Sequence, residues 1–224
     1  QCEGRRPVLP LPGAGYQDYV ADEAAWRDGP DFAPALEKRV RELTGAPTRI
    51  DFQFDKPLSN AMSLRGGSVE RSCGDPAPFE RAFERGRSEG ASPFMVVLAA
   101  YATMLHLQTG QEDLLIGVPT SLRREERFAR TVGFFVNTCV ARLDFSGSPT
   151  LGEIMKRTAM AVGDMLERPE VPLDHLVRAL EAQRTPDRPP WSRPSFPSWG
   201  TTRRRRALPE ASPSNPSIPS VAQP

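Results

Sequence analysis

The feature that most constrains the fold is a long apolar stretch in the middle of the chain, at residues 92–142. Ser92 can cap the free N–H groups of a helix, and Pro93 suits the first turn because proline has no backbone N–H to leave unpaired. The run from Phe94 to Leu107 is apolar on nearly every side, and Gly110 follows it, where glycine commonly closes a helix. This pattern predicts a helix that is buried rather than half exposed, and the most buried helix of the fold.

Two further apolar runs follow and predict buried strands at residues 113–118 and 135–143, separated by a charged loop at 123–130. A buried helix followed by two buried strands is typical of the centre of a two-layer α/β core. Similar patterns predict a strand at 68–73, in a mixed sheet, and helices at 16–26, 34–43, 76–89, 150–166 and 172–181.

Composition divides the 224 residues into three parts. Residues 1–15 are rich in Pro and Gly and predict an extended connector, whereas 16–184 have the composition of a folded domain. Residues 185–224 are rich in Pro, Ser and Arg, which predicts a disordered tail because such a segment buries too little apolar surface to offset its chain entropy. The Arg203–Arg206 run in this tail resembles a basic patch, but we prefer to interpret it as solvated and without a role.

Charge, hydropathy and cysteine content argue against several classes of protein. The net charge of +1 does not indicate a nucleic-acid binder. No apolar run approaches the roughly 20 residues of a membrane span, and no signal peptide is recognisable. Cys2, Cys73 and Cys139 have neither zinc-site nor disulfide-framework spacing, which favours a cytoplasmic protein. The chain begins with Gln rather than Met, from which we expect a cut-down or an incomplete gene product.

Four segments carry a resemblance to one family. In chain order they read YQDY at 16–19, TGQEDLLIGVP at 109–119, VGFFVNT at 132–138 and RPEVPLD at 168–174. In the same order and spacing they are similar to the Tyr-x-Asp-Tyr, TGQ-[ED]-D, GxFVNT and HQDVPFE motifs of condensation domains of nonribosomal peptide synthetases. The chain therefore resembles the C-terminal part of such a domain over about residues 8–180.

The resemblance implies an α/β two-layer sandwich, one chloramphenicol-acetyltransferase-like lobe of the two that form a condensation domain. It also implies a reaction in which an aminoacyl amine on one carrier protein attacks an acyl or peptidyl thioester on another, so that an amide forms and a thiol leaves. Both substrates ride on phosphopantetheine arms of partner carrier proteins, and no cofactor is expected to bind the chain directly.

Two parts of the family pattern are missing from the sequence. The family places a histidine of an HHxxxDG motif in its tunnel, but the only histidines here are His106 and His175, for which packing or surface positions are expected. After Leu180 the RDxSRxPL-like motif is replaced by the tail, which is what a frameshift would produce. We therefore assign no catalytic residue and no metal ligand from the sequence.

By resemblance, six residues are candidates for lining the substrate tunnel or the interface between lobes: Pro119, Arg123, Gly133, Phe134, Asn137 and Thr138. An ordinary core strand, with Asn137 and Thr138 satisfying backbone groups, is an equally open interpretation of the GFFVNT stretch, and both roles can hold. For Tyr16, Asp18 and Tyr19 we prefer ordinary helix packing.

Two functional hypotheses follow. The first is a partial condensation domain that belongs to amide synthesis in secondary metabolism and is inactive by itself. The second is a non-catalytic module that binds carrier proteins or a missing N-terminal lobe in trans. Neither hypothesis involves nucleic acid or a membrane.

Overall fold

Six α-helices and two strands make up the part of the chain that the computed structural model describes, residues 13–47, 49–51 and 75–180. In chain order they are α1 (Tyr16–Arg27), α2 (Phe32–Leu43), α3 (Ala77–Ser88), α4 (Pro93–Thr109), β1 (Asp113–Ser121), β2 (Val136–Asp144), α5 (Leu151–Glu167) and α6 (Leu173–Ala179), with a 3-10 turn at Glu126–Phe128 between the strands. The predicted helices and the two central strands are confirmed at close to their predicted bounds. The predicted strand at 68–73, most of the 1–15 connector and the 185–224 tail lie outside the described residues.

Local signals explain where α4 and α5 begin and end. The Ser92 hydroxyl accepts a hydrogen bond from the Met95 N–H at 3.3 Å, and the Thr150 hydroxyl accepts one from the Glu153 N–H at 3.3 Å. Gly110 ends α4 with a φ of +71°, a left-handed conformation that glycine adopts without steric cost. The helix signals in the sequence therefore act as predicted.

β1 and β2 form an antiparallel pair that runs from Asp113 opposite Asp144 to Ser121 opposite Val136. Because side chains alternate along a strand, the pair has two faces, and each face packs against different helices. One face joins α4 and α5 in the main core, which includes Leu98, Ala99, Leu105, Leu114, Ile116, Val118, Cys139, Ala141, Leu143, Ile154, Met155 and Val162. The other face meets α2 and α6 in a smaller cluster of Leu43, Leu115, Val140 and Leu176, which the sequence did not predict.

α4 departs from its prediction because one of its faces is exposed. It has five buried and five exposed residues, whereas α5, which is also 17 residues long, has six buried and eight exposed residues. α4 is therefore the less exposed of the two long helices, but it is not buried on every side. Ala100 is exposed, and the side chains of Met104 and Leu107 are 43% and 76% exposed. A helix that is apolar on every side offers no polar stripe to mark its outer face, so periodicity could not reveal which side meets solvent.

None of the helices in the described ranges is by itself long and apolar enough to cross a membrane. α3 and α4 satisfy that test only when they are taken together, and the chain bends by 106° between them.

Candidate functional site

Three of the four family-like segments, those at 16–19, 132–138 and 168–174, lie at one end of the β1–β2 pair, near Ser121 and Val136, and the segment at 109–119 reaches this end only with Pro119. The ladder continues one step further there, because the Leu122 N–H donates to the Phe135 carbonyl oxygen at 2.8 Å. α1 and the segment between α5 and α6 both lie against this end. We call it the motif end and define it as α1, residues 119–138 and residues 168–172.

Tyr16, in the first turn of α1, packs directly on the backbone of Gly133 and Phe134. Its hydroxyl donates to the Phe134 carbonyl oxygen at 2.9 Å. A Cβ on Gly133 would lie 2.1 Å from the Tyr16 ring, so glycine is the residue that fits without displacing the ring. Asp18 caps α1 by accepting a hydrogen bond from the Gly15 N–H at 2.7 Å. The first and third family-like segments therefore fit together closely, because the Tyr16 ring occupies the space that a side chain at position 133 would need.

A cluster of aromatic rings fastens α1 to the strands. The Tyr19 ring centroid lies 4.4 Å from that of Phe135 and 5.7 Å from that of Phe128, within the range of favourable ring packing. Burial, and then the negative charge of Glu23, raise the pKa of Tyr19 to about 12, so its phenol stays protonated at neutral pH. The preferred interpretation of Tyr16, Asp18 and Tyr19 as helix-packing and capping residues agrees with these contacts.

Arg123 holds the loop between the two strands in place. Its guanidinium carbon lies 3.9 Å from the centroid of the Phe135 ring, a stacking arrangement that guanidinium groups favour. One of its terminal nitrogens donates to the carbonyl oxygens of Phe128 and of Thr131, the latter at 2.7 Å. The side chain is thus committed to internal contacts in this structure.

Asn137 ties β2 to the fourth family-like segment. Its Nδ2 donates to the carbonyl oxygens of Pro169 and Val171, each at 2.7 Å. This is the role of satisfying backbone groups that the sequence interpretation offered for Asn137.

The structure brings all six predicted site residues to the motif end, but they differ in exposure. Pro119 lies opposite Thr138 in the strand pair and is exposed. The side chain of Phe134 is 72% exposed, and that of its neighbour Val132 is 93% exposed. Gly133, Arg123 and Asn137 make internal contacts, so Pro119 and Phe134 are the exposed apolar residues among the six candidates. A tunnel or lobe interface at these residues stays a prediction.

Both histidines are engaged in packing. His106 Nδ1 lies 2.8 Å from the Gln111 carbonyl oxygen, and its ring stacks on Phe145 with centroids 4.7 Å apart, as the packing prediction required. His175, expected at the surface, is half-buried because Phe32 packs edge-on against it at 5.1 Å. Among the described residues, no group of three or more His, Cys, Asp or Glu side chains is arranged to hold a metal ion.

Sequence reasoning missed the ring cluster and the groove beside it. Phe128 lies in a loop that the sequence marks only by its charges, so no periodic signal indicated its burial. The groove has a volume of about 210 Å³ and opens between α1 and residues 122–128. Its lining consists of Tyr19, Asp22, Glu23, Trp26, Leu122, Arg124, Glu125, Phe128 and Glu170.

Comparison with known proteins identifies the family. The family model described as "Condensation domain" matches residues 9–197, and the chain belongs to that family. Phosphinothricin tripeptide synthetase PhsB of Streptomyces viridochromogenes is 34% identical over 185 residues, which are 82% of this chain and 15% of that protein. Malpinin synthetase of Mortierella alpina is 31% identical over 84% of this chain and 2% of its own length.

Solved structures confirm the predicted fold class, the chloramphenicol-acetyltransferase-like α/β fold of condensation domains. The X-domain from teicoplanin biosynthesis has 25% identity and a TM-score of 0.71, over 84% of this chain and 42% of that one. The SgcC5 protein from Streptomyces globisporus has 28% identity and a TM-score of 0.64, over 79% of this chain and 39% of that one. The chain therefore spans less than half of these solved proteins and a small part of the synthetases.

Proposed function

We propose that this chain supplies one lobe of an amide-forming condensation site in nonribosomal peptide synthesis. In that reaction the amine of one carrier-bound aminoacyl group attacks a carrier-bound acyl or peptidyl thioester, an amide forms and a thiol leaves. The observation that carries the proposal is the convergence at the motif end, where α1, the GFFVNT stretch and residues 168–172 contact one another through Tyr16 and Asn137. The match to peptide synthetases such as PhsB supports it.

We further propose that these 224 residues do not catalyse the reaction by themselves. Attack on a thioester needs an unprotonated amine and a partner for the proton, and such help is worth roughly 10²–10⁴-fold in rate. His106 and His175 are both engaged elsewhere, and the sequence has no other histidine. A second lobe would also align the amine with the thioester, and such orientation can lower a barrier by about 7–11 kcal/mol.

The phosphopantetheine arms belong, in this proposal, to the partner carrier proteins. The chain's own contribution is to position them along the motif end, where Pro119 and Phe134 are exposed. We expect alignment to matter more than proton transfer, because one lobe alone cannot hold two arms at attack distance.

A binding role in trans is the second candidate, and one observation favours it. Val132 and Phe134 are large apolar residues that are 93% and 72% exposed, two positions apart in the sequence of the motif end. Adjacent exposed apolar residues are typical of a surface that another protein covers. In this role the chain binds a carrier protein or a separate lobe without taking part in the chemistry.

The test uses two carrier proteins loaded with an acyl thioester and an aminoacyl thioester. The chain is added alone, or together with a separately expressed lobe that bears HHxxxDG, and dipeptidyl thioester is measured by mass spectrometry. We expect product only when both lobes are present. Product from the chain alone, well above the control without protein, would overturn the claim of inactivity. A complex without product would favour the binding role.

A pair of matched variants tests where the second lobe binds. Phe134→Ser changes an exposed apolar residue of the motif end, and Met160→Ser changes one on α5 that is 63% exposed. We expect the first variant to weaken assembly and lower product, and the second to leave both unchanged. Equal behaviour of the two variants would argue against an interface at Phe134.

A further inference from the structure

We propose that the groove between α1 and residues 122–128 binds one guanidinium group, which packs on its aromatic rings and pairs with the Glu23 carboxylate. The site lies beside the ring cluster rather than at the predicted tunnel residues. It stands independently of whether the chain takes part in amide synthesis.

The charges in the groove leave one carboxylate without a cation among the described residues. Four of its lining residues are carboxylates, and three of them already have cations. Asp22 and Glu125 both pair with Arg127. The Glu170 carboxylate pairs with the guanidinium group of Arg124 at 3.4 Å and with that of Arg168 at 3.6 Å. Glu23 is half-buried and forms no ion pair with any residue in the described ranges, so its charge is the one left open.

Two aromatic rings give the groove its accessible aromatic surface. Tyr19 and Trp26 line the groove and are half-buried, whereas Phe128 is 2% exposed and lies behind them as support. A cation near an aromatic face is attracted by the negative charge on that face. Because the raised pKa of Tyr19 keeps its phenol neutral, Glu23 supplies the unpaired negative charge next to these rings.

The same region of the protein already packs two of its own guanidinium groups against aromatic rings. Arg123 lies 3.9 Å from the ring centroid of Phe135, and Arg127 lies 4.5 Å from that of Phe128. Both arrangements combine stacking with hydrogen bonds or ion pairs to oxygen atoms. The groove offers the same combination, rings and a carboxylate, to a third guanidinium.

Shape and size favour a single arginine-like side chain. A planar guanidinium can stack on a ring and direct two N–H groups at one carboxylate, which a compact ammonium cannot do. A volume of about 210 Å³ lies below the roughly 300–1,000 Å³ of sites for drug-sized ligands. The guanidinium could come from another protein or from this chain's own Arg203–Arg206 run, which lies outside the described residues.

The test titrates Nα-acetylarginine amide into the full chain and follows the indole N–H signals by ¹H–¹⁵N NMR. The chain has three tryptophans, and Trp26→Phe assigns the signal of interest. We expect a saturable shift of the Trp26 signal with a dissociation constant on the order of 1 mM, about −4 kcal/mol. The citrulline analogue keeps the shape and lacks the charge, so it should bind at least tenfold more weakly, and the lysine analogue should fall between the two.

Glu23→Gln provides the decisive variant and Glu84→Gln its control. Glu84 is an exposed helical carboxylate that forms no ion pair with any described residue. We expect Glu23→Gln to weaken binding about tenfold or more, as loss of a charge-assisted hydrogen bond does, and Glu84→Gln to change nothing. An unsaturable shift both in the unaltered chain and in a variant whose Arg203–Arg206 run is replaced by Gln, equal binding of citrulline, or undiminished binding by Glu23→Gln would each overturn the site.

Replacing all four residues of Arg203–Arg206 by Gln distinguishes the two sources. If these arginines occupy the groove, the variant shifts the Trp26 signal without any probe and binds the probe more tightly. If it behaves like the unaltered chain and the probe still binds, the site takes a guanidinium from another molecule. Either result supports the site, whereas absence of probe binding to both chains refutes it.

Discussion

The main core and the motif end share the strands β1 and β2 but are held together in different ways. In the core the contacts are apolar and fully buried, as at Ile116 and Ala141, both 0% exposed. At the motif end Tyr16 and Asn137 donate to main-chain carbonyl oxygens of other segments, and Arg123 donates to carbonyl oxygens of its own loop. A core tolerates apolar exchanges that keep its volume. The motif end instead needs particular donors and one particular glycine.

This difference changes how the family-like residues are interpreted. Gly133, Arg123 and Asn137 have structural reasons to be what they are, whatever substrate the assembled site handles. A loss of activity on changing one of them would therefore be expected from misfolding of the motif end alone. Stability measurements on each variant separate that effect from a lost substrate contact.

The largest effect is expected in the main core. Ile116→Ala removes a buried branched side chain and leaves a cavity, so we expect the free energy of unfolding to fall by about 2–5 kcal/mol. Urea unfolding followed by circular dichroism measures the change. Met160→Ala, at a residue 63% exposed, is the control and should stay within about 0.5 kcal/mol of the unaltered chain. Equal losses of unfolding free energy in the two variants would mean that Ile116 and Met160 are packed alike.

The second-largest loss of stability is expected from adding a methyl group at Gly133. Gly133→Ala places a Cβ against the Tyr16 ring, so α1 must shift, and overpacking of this kind costs about 1–3 kcal/mol. Tyr16→Ala removes the obstacle, so the double variant should lose less than the sum of the single losses by roughly 0.5–3 kcal/mol. Additive losses in urea unfolding would show that the ring is not what demands glycine.

The hydrogen bonds of Asn137 should contribute somewhat less. Asn137→Ala removes the amide donor to the carbonyl oxygens of Pro169 and Val171, so that the Pro169 oxygen keeps only the weak Cys139 S–H donor at 3.6 Å, and we expect a loss of about 1–2 kcal/mol for this partly buried amide. Asn137→Asp keeps the size but replaces the donor by an acceptor, so it should destabilise at least as much. If the aspartate variant unfolded at the same urea concentration as the unaltered chain, the two bonds would not hold the motif end.

The smallest effect concerns pH, at the opposite end of the strand pair. Hydrogen bonds from the backbone and the hydroxyl of Ser146, together with the nearby Arg157 charge, lower the pKa of Asp144. Because the folded-state pKa lies below the unfolded value of about 3.9, Asp144 stabilises the fold above that pH, and the contribution is lost as pH falls through the folded-state pKa. Solvent screening keeps it small because the side chain is largely exposed.

In the Asp144→Asn variant, the urea concentration at the midpoint of unfolding should therefore fall less steeply as the pH is lowered into the acid range. Near neutral pH, the dependence of this midpoint on pH should hardly change. Glu84→Gln, which changes an exposed carboxylate that pairs with none of the described residues, should leave the acid side of this pH dependence as it is. An unchanged slope for Asp144→Asn would mean that the Ser146 contacts do not form in solution.

Much of the fold could be predicted because its signals are local. Caps at Ser92 and Thr150 and the closing Gly110 set helix ends through hydrogen bonds within a few residues. Apolar runs predicted the strands that pair as β1 and β2. The exposed face of α4 could not be predicted, because a helix with apolar residues all round carries no mark of its outer side.

The sequence by itself determined the class of the protein, since four short segments in the right order carry the family resemblance wherever their partners lie in space. Only the tertiary structure decided what those segments do locally. It placed the Tyr16 ring on Gly133, 117 residues away in sequence, and Arg123 on the Phe135 ring. It also placed Glu23 in a groove where no described residue forms an ion pair with it. The physical reason is the separation along the chain over which each kind of interaction acts. Caps and apolar periodicity act between near neighbours, whereas ring contacts, paired donors and the charge balance of a groove depend on which distant segments the fold brings together.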